Sequence, residues 1–173
     1  MYTSELHPLP EPVRRVAAAL QSMAHPQGPV MLGAAARTAQ QAADALGVAL
    51  GQIAKSIIFR RKSDDAAVLV ITSGDRRVDE RRVAAVVCTE GGGLGKADAD
   101  FVKLRTGFSI GGVAPIAHLQ TCVTLIDRAL FRFDAIWAAA GHPHAVFCLS
   151  PADLERLTGA PVADVVVTPA AAA

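Results

Sequence analysis

Two short runs rich in apolar and β-branched residues, 56–59 and 67–71, are separated by the charged segment 60–65. Runs of this length, bounded by a polar turn, read as the two strands of a β-hairpin. A sheet that contains such an antiparallel pair is not the wholly parallel sheet of a doubly wound nucleotide fold. What the chain builds depends on the segments around the hairpin.

Val13, Val16, Ala17 and Leu20 recur at helical spacing after Pro12, which predicts an amphipathic first helix ending before His25 and Pro26. Thr38 is placed to cap a second helix over 39–46, closed by Gly47. Asp79 caps a third through Val87, and Asp98 or Asp100 a fourth ending at Gly107. Residues 122–126, 136–138 and 146–149 are apolar or β-branched and read as strands. Ser150-Pro151-Ala152-Asp153 opens a last helix with a capping box, Gly159 closes it, 162–167 returns as a strand, and 170–173 is expected to fray. Strands occurring both as a hairpin and between helices make the class α+β, or mixed α/β, around one sheet.

A length of 173 residues with 51% hydrophobic side chains suits one core, so the expectation is a single domain over 1–173. Arg, Asp, Gln or Gly interrupts every apolar stretch before the ~18 positions of a membrane span, and residues 1–12 do not read as a signal peptide. Cys88, Cys122 and Cys148 are odd in number and too scattered for a disulfide framework or a metal knuckle, which points to the cytoplasm. A net charge of +1 is too small to hold nucleic acid by long-range field, so such a contact has to be local, and no DNA partner is expected. The basic clusters Arg60-Arg61-Lys62 and Arg76-Arg77 with Arg81-Arg82 read first as solvated faces.

Several motifs lack their required context. Gly91-Gly92-Gly93-Leu94-Gly95-Lys96 has Glu90 and Ala97 where a P-loop needs glycine and Ser or Thr, and reads as a flexible loop. His142 and His144 have no local third metal ligand, so no metal or cofactor is expected. The isolated cysteines read as small core residues. Gly107-Phe108-Ser109-Ile110-Gly111 matches the G-x-S-x-G elbow, with Asp127, Asp134, His142 and His144 following in triad order. That elbow needs a strand before the serine and a helix after it, whereas a helix precedes this one, and Gly112 and Pro115 prevent a regular helix from following.

Lys55 shares a strand face with Ile57 and Phe59. Its stem either packs while the amine reaches water at the sheet rim, or the amine stands at a pocket mouth and holds a phosphate. Gly111-Gly112-Val113-Ala114-Pro115 is either an ordinary turn or a loop whose glycines let the backbone approach a ligand. In the second case its consecutive N–H groups are available to an oxyanion formed when water attacks an ester.

Five blocks in order carry a resemblance to a known family: Thr38-Ala39 with Leu46-Gly47-Val48, Ile53-Ala54-Lys55-Ser56-Ile57-Ile58-Phe59, Gly74-Asp75-Arg76-Arg77-Val78-Asp79, Gly107 with Gly111 to Pro115, and the closing segment 149–164. The chain resembles the YbaK/ProX aminoacyl-tRNA deacylases, relatives of the editing domain of bacterial prolyl-tRNA synthetase, over a core of about 38–164. The resemblance implies a mixed, barrel-like sheet flanked by helices, and hydrolysis of the ester that joins a wrong amino acid to the 3′-terminal adenosine of tRNA. It makes Lys55 and Gly111 the catalytic candidates, Lys55 holding the terminal nucleotide and Gly111 lying beside the scissile ester. Gly112, Val113, Ala114, Pro115, Ala139 and Gly141 become the substrate-binding candidates. It implies no protein nucleophile, metal or cofactor; the terminal ribose hydroxyl helps to activate water. Its partners are the acceptor end of mischarged tRNA and a synthetase such as prolyl-tRNA synthetase.

The branch of the family specific for cysteine carries a serine and an aspartate around a Gly-Gly-Lys-Arg-Gly loop. This chain has Ala139, Ala140-Gly141-His142-Pro143-His144 and Val146 there, and the run Ala138-Ala139-Ala140 favours a small, weakly polar amino acid selected by size. Three functions stand at this point: a tRNA-editing hydrolase, a serine esterase using Ser109, and a non-catalytic tRNA or synthetase accessory module. No role follows from the sequence for Asp75, His142 or His144.

Overall fold

The computed structural model describes residues 8–33 and 36–168, so the expectations for the tail at 170–173 and for residues 1–7 of the amino-terminal start lie outside the described residues. In chain order the elements are α1 (Glu11–Ser22), β1 (Val30–Met31), α2 (Ala39–Leu46), β2 (Ile53–Arg61), β3 (Ala67–Ser73), α3 (Glu80–Val87), β4 (Leu94–Lys96), α4 (Ala99–Thr106), β5 (Val123–Asp127), β6 (Ile136–Ala139), β7 (Ala145–Leu149), α5 (Pro151–Thr158) and β8 (Val162–Ala163). Short 3-10 turns at Leu50–Gln52 and Arg128–Arg132 precede β2 and follow β5.

Helix boundaries follow local side-chain chemistry. Thr38 and Ser150 form capping boxes with Gln41 and Asp153. Asp79 accepts from the N–H groups of Arg81 and Arg82. Asp98, rather than Asp100, is the cap of α4, accepting from Phe101 N–H at 2.8 Å. Each such cap contributes about 1 kcal/mol. Gly47, Gly107 and Gly159 end their helices in the left-handed conformation.

The strands form one mixed, eight-stranded sheet in the order β1-β7-β6-β2-β3-β5-β8, with β4 also paired to β2. The hairpin is antiparallel from Ala54↔Ser73 to Arg60↔Ala67, whereas β6 joins β2, and β5 joins β3, in parallel. All seven residues of β3 are buried, which is why 67–71 is a continuous apolar run rather than an alternating one. Leu69 and Ile71 enter a large core with Val16 and Leu20 of α1, Phe147 of β7 and Leu154 of α5. Val68 and Val70 enter a second core with Val83 and Val87 of α3. No helix among the described residues is long and apolar enough to cross a membrane.

Three segments differ from the sequence reading. The glycine-rich segment is not simply a loop: Gly91, Gly92 and Gly93 turn through positive φ, Lys62 N–H donates to Gly93 O, and Leu94–Lys96 pairs with the far end of β2. The last strand stops at Ala163, with only an isolated bridge, Val78↔Val166, beyond it. The two-residue β1 escapes any pattern test because its exposed residues hold only the edge of β7.

On one edge β2 is paired with β6 only at Ile53 and Ala54, and with β4 only from Phe59 to Arg61. Between these pairings the sheet is open along one edge of β2. The turn that begins β2 is held close to the end of β3: a Cβ on Gly74 would collide with Leu50 O and press on Ile53. Gly74→Ala should therefore lower stability by about 1–3 kcal/mol, as overpacking does. Urea denaturation checks it, and an unchanged midpoint would mean that the Leu50–Gln52 turn yields without cost.

Candidate active site

A cavity of about 290 Å³ lies at the gap in the sheet. Ala39 and Ala42 of α2 form one side, residues 53–57 of β2 the floor, and Trp137 and Ala139 of β6 with Val146 of β7 the far wall. Ile110, Gly111, Val113 and Pro143 close the remaining side. The cap of α2 explains the first wall, because Thr38 ends the incoming chain at the rim and the helix then presents alanines, small enough to leave space. Side-chain alternation splits the floor: Ala54 and Ile58 turn to the large core and Ile57 to the second, with Lys55 on the face of Ile57, so the cavity meets both faces of β2.

Backbone polarity follows from the same alternation. Arg61 N–H donates to Ala66 O at 2.9 Å on the hairpin side, so the odd-numbered residues of β2 bond β3. Ser56 and Ile58 therefore direct their N–H and C=O groups to the open edge. The Ser56 hydroxyl is also buried without a hydrogen-bond partner among the described residues. Lys55 Nζ donates to Arg76 O at 3.4 Å, a long bond that leaves most of the amine's donor capacity unused.

Of the residues named from sequence, Lys55, Gly111, Val113 and Ala139 meet on this cavity, while Gly112, Ala114, Pro115 and Gly141 do not line it. These four lie behind it. A Cβ on Gly112 would come within 2.9 Å of the His142 backbone, and one on Gly141 within 2.7 Å of Pro12 O, so Gly112 lets two loops pack directly on one another and Gly141 lets its loop pack on the first turn of α1. Ala114 and Pro115 are buried, and His118 Nε2 donates to Ala114 O at 2.7 Å, pinning the loop's exit. Burial, against that hydrogen bond and with the nearby charge of Arg15, pushes the His118 pKa down. The expected row of free N–H groups is interrupted, because Gly112 N–H donates to Ser109 O at 2.9 Å.

Sequence reasoning missed Ser56, Ile110, Trp137, Pro143 and the first turn of α2. Ser56 had a signal, its position beside Lys55 on a strand, but only the pairing shows that this edge is open. Trp137 lacked one, since its ring packs with Ala42 and Ile53 as an ordinary core residue does.

The other candidates separate clearly. Ser109 is exposed and follows α4 rather than a strand, so it does not sit in a nucleophile elbow. His142 and His144 stand with ring centroids 5.3 Å apart, and His144 N–H donates to His142 Nδ1 at 3.1 Å. Burial pushes the Cys122 thiol up to about 11, far from a reactive thiolate.

Asp75 holds the turn beneath Lys55. Its Oδ1 accepts from Arg132 Nη2 at 2.9 Å and lies 3.0 Å from Ser73 Oγ, while Arg76 Nη1 is 3.5 Å from Oδ2. Ser73 Oγ also bonds Gly51 O. Burial pushes the Asp75 carboxyl up, but the hydrogen bonds from Arg132 and Ser73 and the neighbouring guanidiniums push it down by more.

The model of the aminoacyl-tRNA editing domain matches residues 34–157, a span that takes in every wall of the cavity. The chain belongs to that family, whose role is aminoacyl-tRNA editing. It is 31% identical over 121 residues to the uncharacterized protein YwhH of Bacillus subtilis (strain 168), covering 70% of this chain and 74% of that protein. A crystal structure described as a candidate trans-editing enzyme for prolyl tRNA synthetase superposes with a TM-score of 0.86 at 38% identity, over 93% of this chain and all of that one. The hypothetical protein APE2540 superposes with a TM-score of 0.79 at 27% identity, over 88% of this chain and 99% of that one.

A carboxyl whose pKa is lowered on folding contributes stability above its unfolded value, and that stability is lost as pH falls through the folded value. Wild type should exceed Asp75→Asn in stability at pH 7 by about 0.5–1 kcal/mol, a magnitude suited to a partly exposed pair. The difference should close as pH drops below the ordinary aspartate range. Denaturant unfolding of both proteins across pH checks this, and a gap that persists at the acid end would contradict it.

Proposed function

We propose that this protein is a free-standing trans-editing hydrolase that removes a small, wrongly attached amino acid from the 3′-terminal adenosine of tRNA. The observation that carries the reading is the convergence of Lys55 and Gly111 on one cavity in a chain of the editing family. In this reading the whole chain acts as one domain with its core at 38–164, works in the cytoplasm without a cofactor, and takes mischarged tRNA as substrate. The similarity to a candidate trans-editing enzyme for prolyl tRNA synthetase supports prolyl-tRNA synthetase as the companion enzyme.

The Lys55 ammonium meets the phosphate of the terminal nucleotide, a role suited to a compact point charge. The ester carbonyl then lies against the Gly111 backbone. Water, activated with help from the terminal ribose hydroxyl, attacks the carbonyl carbon. The tetrahedral intermediate collapses, expelling the ribose 3′ oxygen, which takes up a proton, and the amino acid leaves as its carboxylate. Since Gly112 N–H is committed to Ser109 O, Gly111 and Val113 are the loop donors nearest the developing oxyanion. The walls made by Ala39, Ala42, Ala139 and Val146 favour a small, weakly polar side chain. Discrimination by size is coarse, about 1–3 kcal/mol per methylene, so small amino acids of similar volume should overlap as substrates.

Lys55→Ala should lose a charge-assisted contact of ~1.5–3 kcal/mol, roughly tenfold or more in deacylation rate, without unfolding. Gly111→Val should abolish activity, because φ is +90° there and a branched side chain would stand at the ester. Ser109→Ala should retain most activity. Single-turnover deacylation at matched folded concentration checks all three. Wild-type rates in Lys55→Ala would sink the reading, and a collapse in Ser109→Ala with a covalent probe adduct would favour the serine esterase.

A further inference from the structure

Lys55 borders two cavities, and the second has a different character from the first. It holds about 340 Å³ on the side of Lys55 away from α2. Ile57 and Phe59 of β2 contribute to its floor, and Arg76, Arg77 and Glu80 supply charge. The charges do not cancel within it. Arg76 is already engaged by Asp75 at 3.5 Å. Among the described residues neither Lys55 nor Arg77 has a carboxylate within 4.0 Å, so two cations face the single carboxylate of Glu80.

The turn that carries Arg77 is braced on both sides. Arg76 N–H donates to Ser73 O at 3.0 Å, Arg77 O accepts from Val167 N–H at 2.8 Å, and Val78 bridges Val166. The Thr72 hydroxyl donates to Asp127 at 3.2 Å, and Asp79 occupies the Arg81 and Arg82 N–H groups at the start of α3. Among the described residues Arg77 is thus, with Lys55, a cation of this rim that no carboxylate engages.

We propose that this second cavity is a subsite for the phosphodiester backbone immediately 5′ to the terminal adenosine, with Arg77 as its anion-binding side chain. The inference rests on the deacylase reading and extends it. A substrate whose ester lies at Gly111 has an apolar amino-acid end and a charged nucleotide end, and the two cavities differ in that same sense on either side of one lysine. Among the described residues the first cavity has Arg37 beside Thr38 as its one cation besides Lys55, but its walls are mainly alanine, valine and isoleucine, so placing the backbone there would bury phosphate largely against apolar groups, which is costly. Arg77 therefore contributes to affinity for the tRNA chain and not to the chemical step.

The test compares wild type, Arg77→Ala, Arg77→Lys and, as a control outside the cavity, Arg81→Ala. Each is assayed on mischarged tRNA and on the corresponding 3′-aminoacyl adenosine, which has no phosphate. Arg77→Ala should raise KM for aminoacyl-tRNA about tenfold with kcat within about twofold, as loss of uniform binding does. The slope of log kcat/KM against log salt should shrink by about 0.7, the value for one phosphate contact on a single strand. Arg77→Lys should recover most of the loss, Arg81→Ala should match wild type, and all four should be alike on 3′-aminoacyl adenosine. An unchanged KM and salt slope for Arg77→Ala, with wild type active, would overturn the subsite and leave the deacylase reading standing. Equal losses on both substrates would also overturn it, since the effect would then be on the fold or on catalysis. Wild type inactive on both substrates would remove the deacylase reading and this inference with it.

Discussion

A strand inside a sheet normally satisfies its backbone on both edges, and β2 does not. Its partner β6 leaves after Ala54 and β4 joins only at Phe59. A buried N–H or C=O without a partner costs about 1–3 kcal/mol, so an open edge persists only where the surrounding structure compels it. Here that compulsion comes from the hairpin, which is bonded to β3 along the whole interval, and from two cores that grip β3 from either face. The interruption lies at the cavity that Lys55 and Gly111 both line, and it leaves the backbone N–H and C=O of Ser56 directed at the open edge.

The rest of the molecule holds that opening in shape. Behind the cavity, Gly112 lets its loop touch the His142 backbone and Gly141 lets its loop touch the first turn of α1. The half-buried ring of His118, edge-on to Phe108, pins the loop at Ala114. On the other side, Asp75 gathers Arg132, Arg76 and Ser73 at the turn whose carbonyl receives the Lys55 amine. The cavity is therefore walled by α2, β2, β6, β7 and two loops, with the loops held from behind by packing, an arrangement that suits the proposed deacylation, in which the protein chiefly orients the substrate.

Local chemistry made the helices legible before the structure. Thr38, Asp79 and Ser150 act within four residues of themselves, so their caps were readable, and the glycine stops followed. The hairpin was readable because β-branched runs flank a charged turn. What the sequence withheld depends on distant pairing. Nothing local says that Leu94–Lys96 reaches the end of β2, or that β1 leans on β7, because each is too short for a period to emerge. For the same reason Lys55 and Gly111 could be placed in one site only through the family resemblance, while Ser56 and Trp137 were not found at all. Gly112, Ala114, Pro115 and Gly141 were named as one set with the cavity residues, but sequence proximity does not distinguish a wall from its support.

The most direct test of the central claim is single-turnover hydrolysis by the wild-type protein across a panel of tRNAs, each charged with a cognate or a noncognate amino acid, with the quenched protein examined by intact mass. The account predicts release far above the spontaneous rate for at least one tRNA carrying a small noncognate amino acid, slow release for the correctly charged tRNA, and no acyl adduct on the protein. No acceleration for any member of the panel, or accumulation of an acyl-protein, would contradict it.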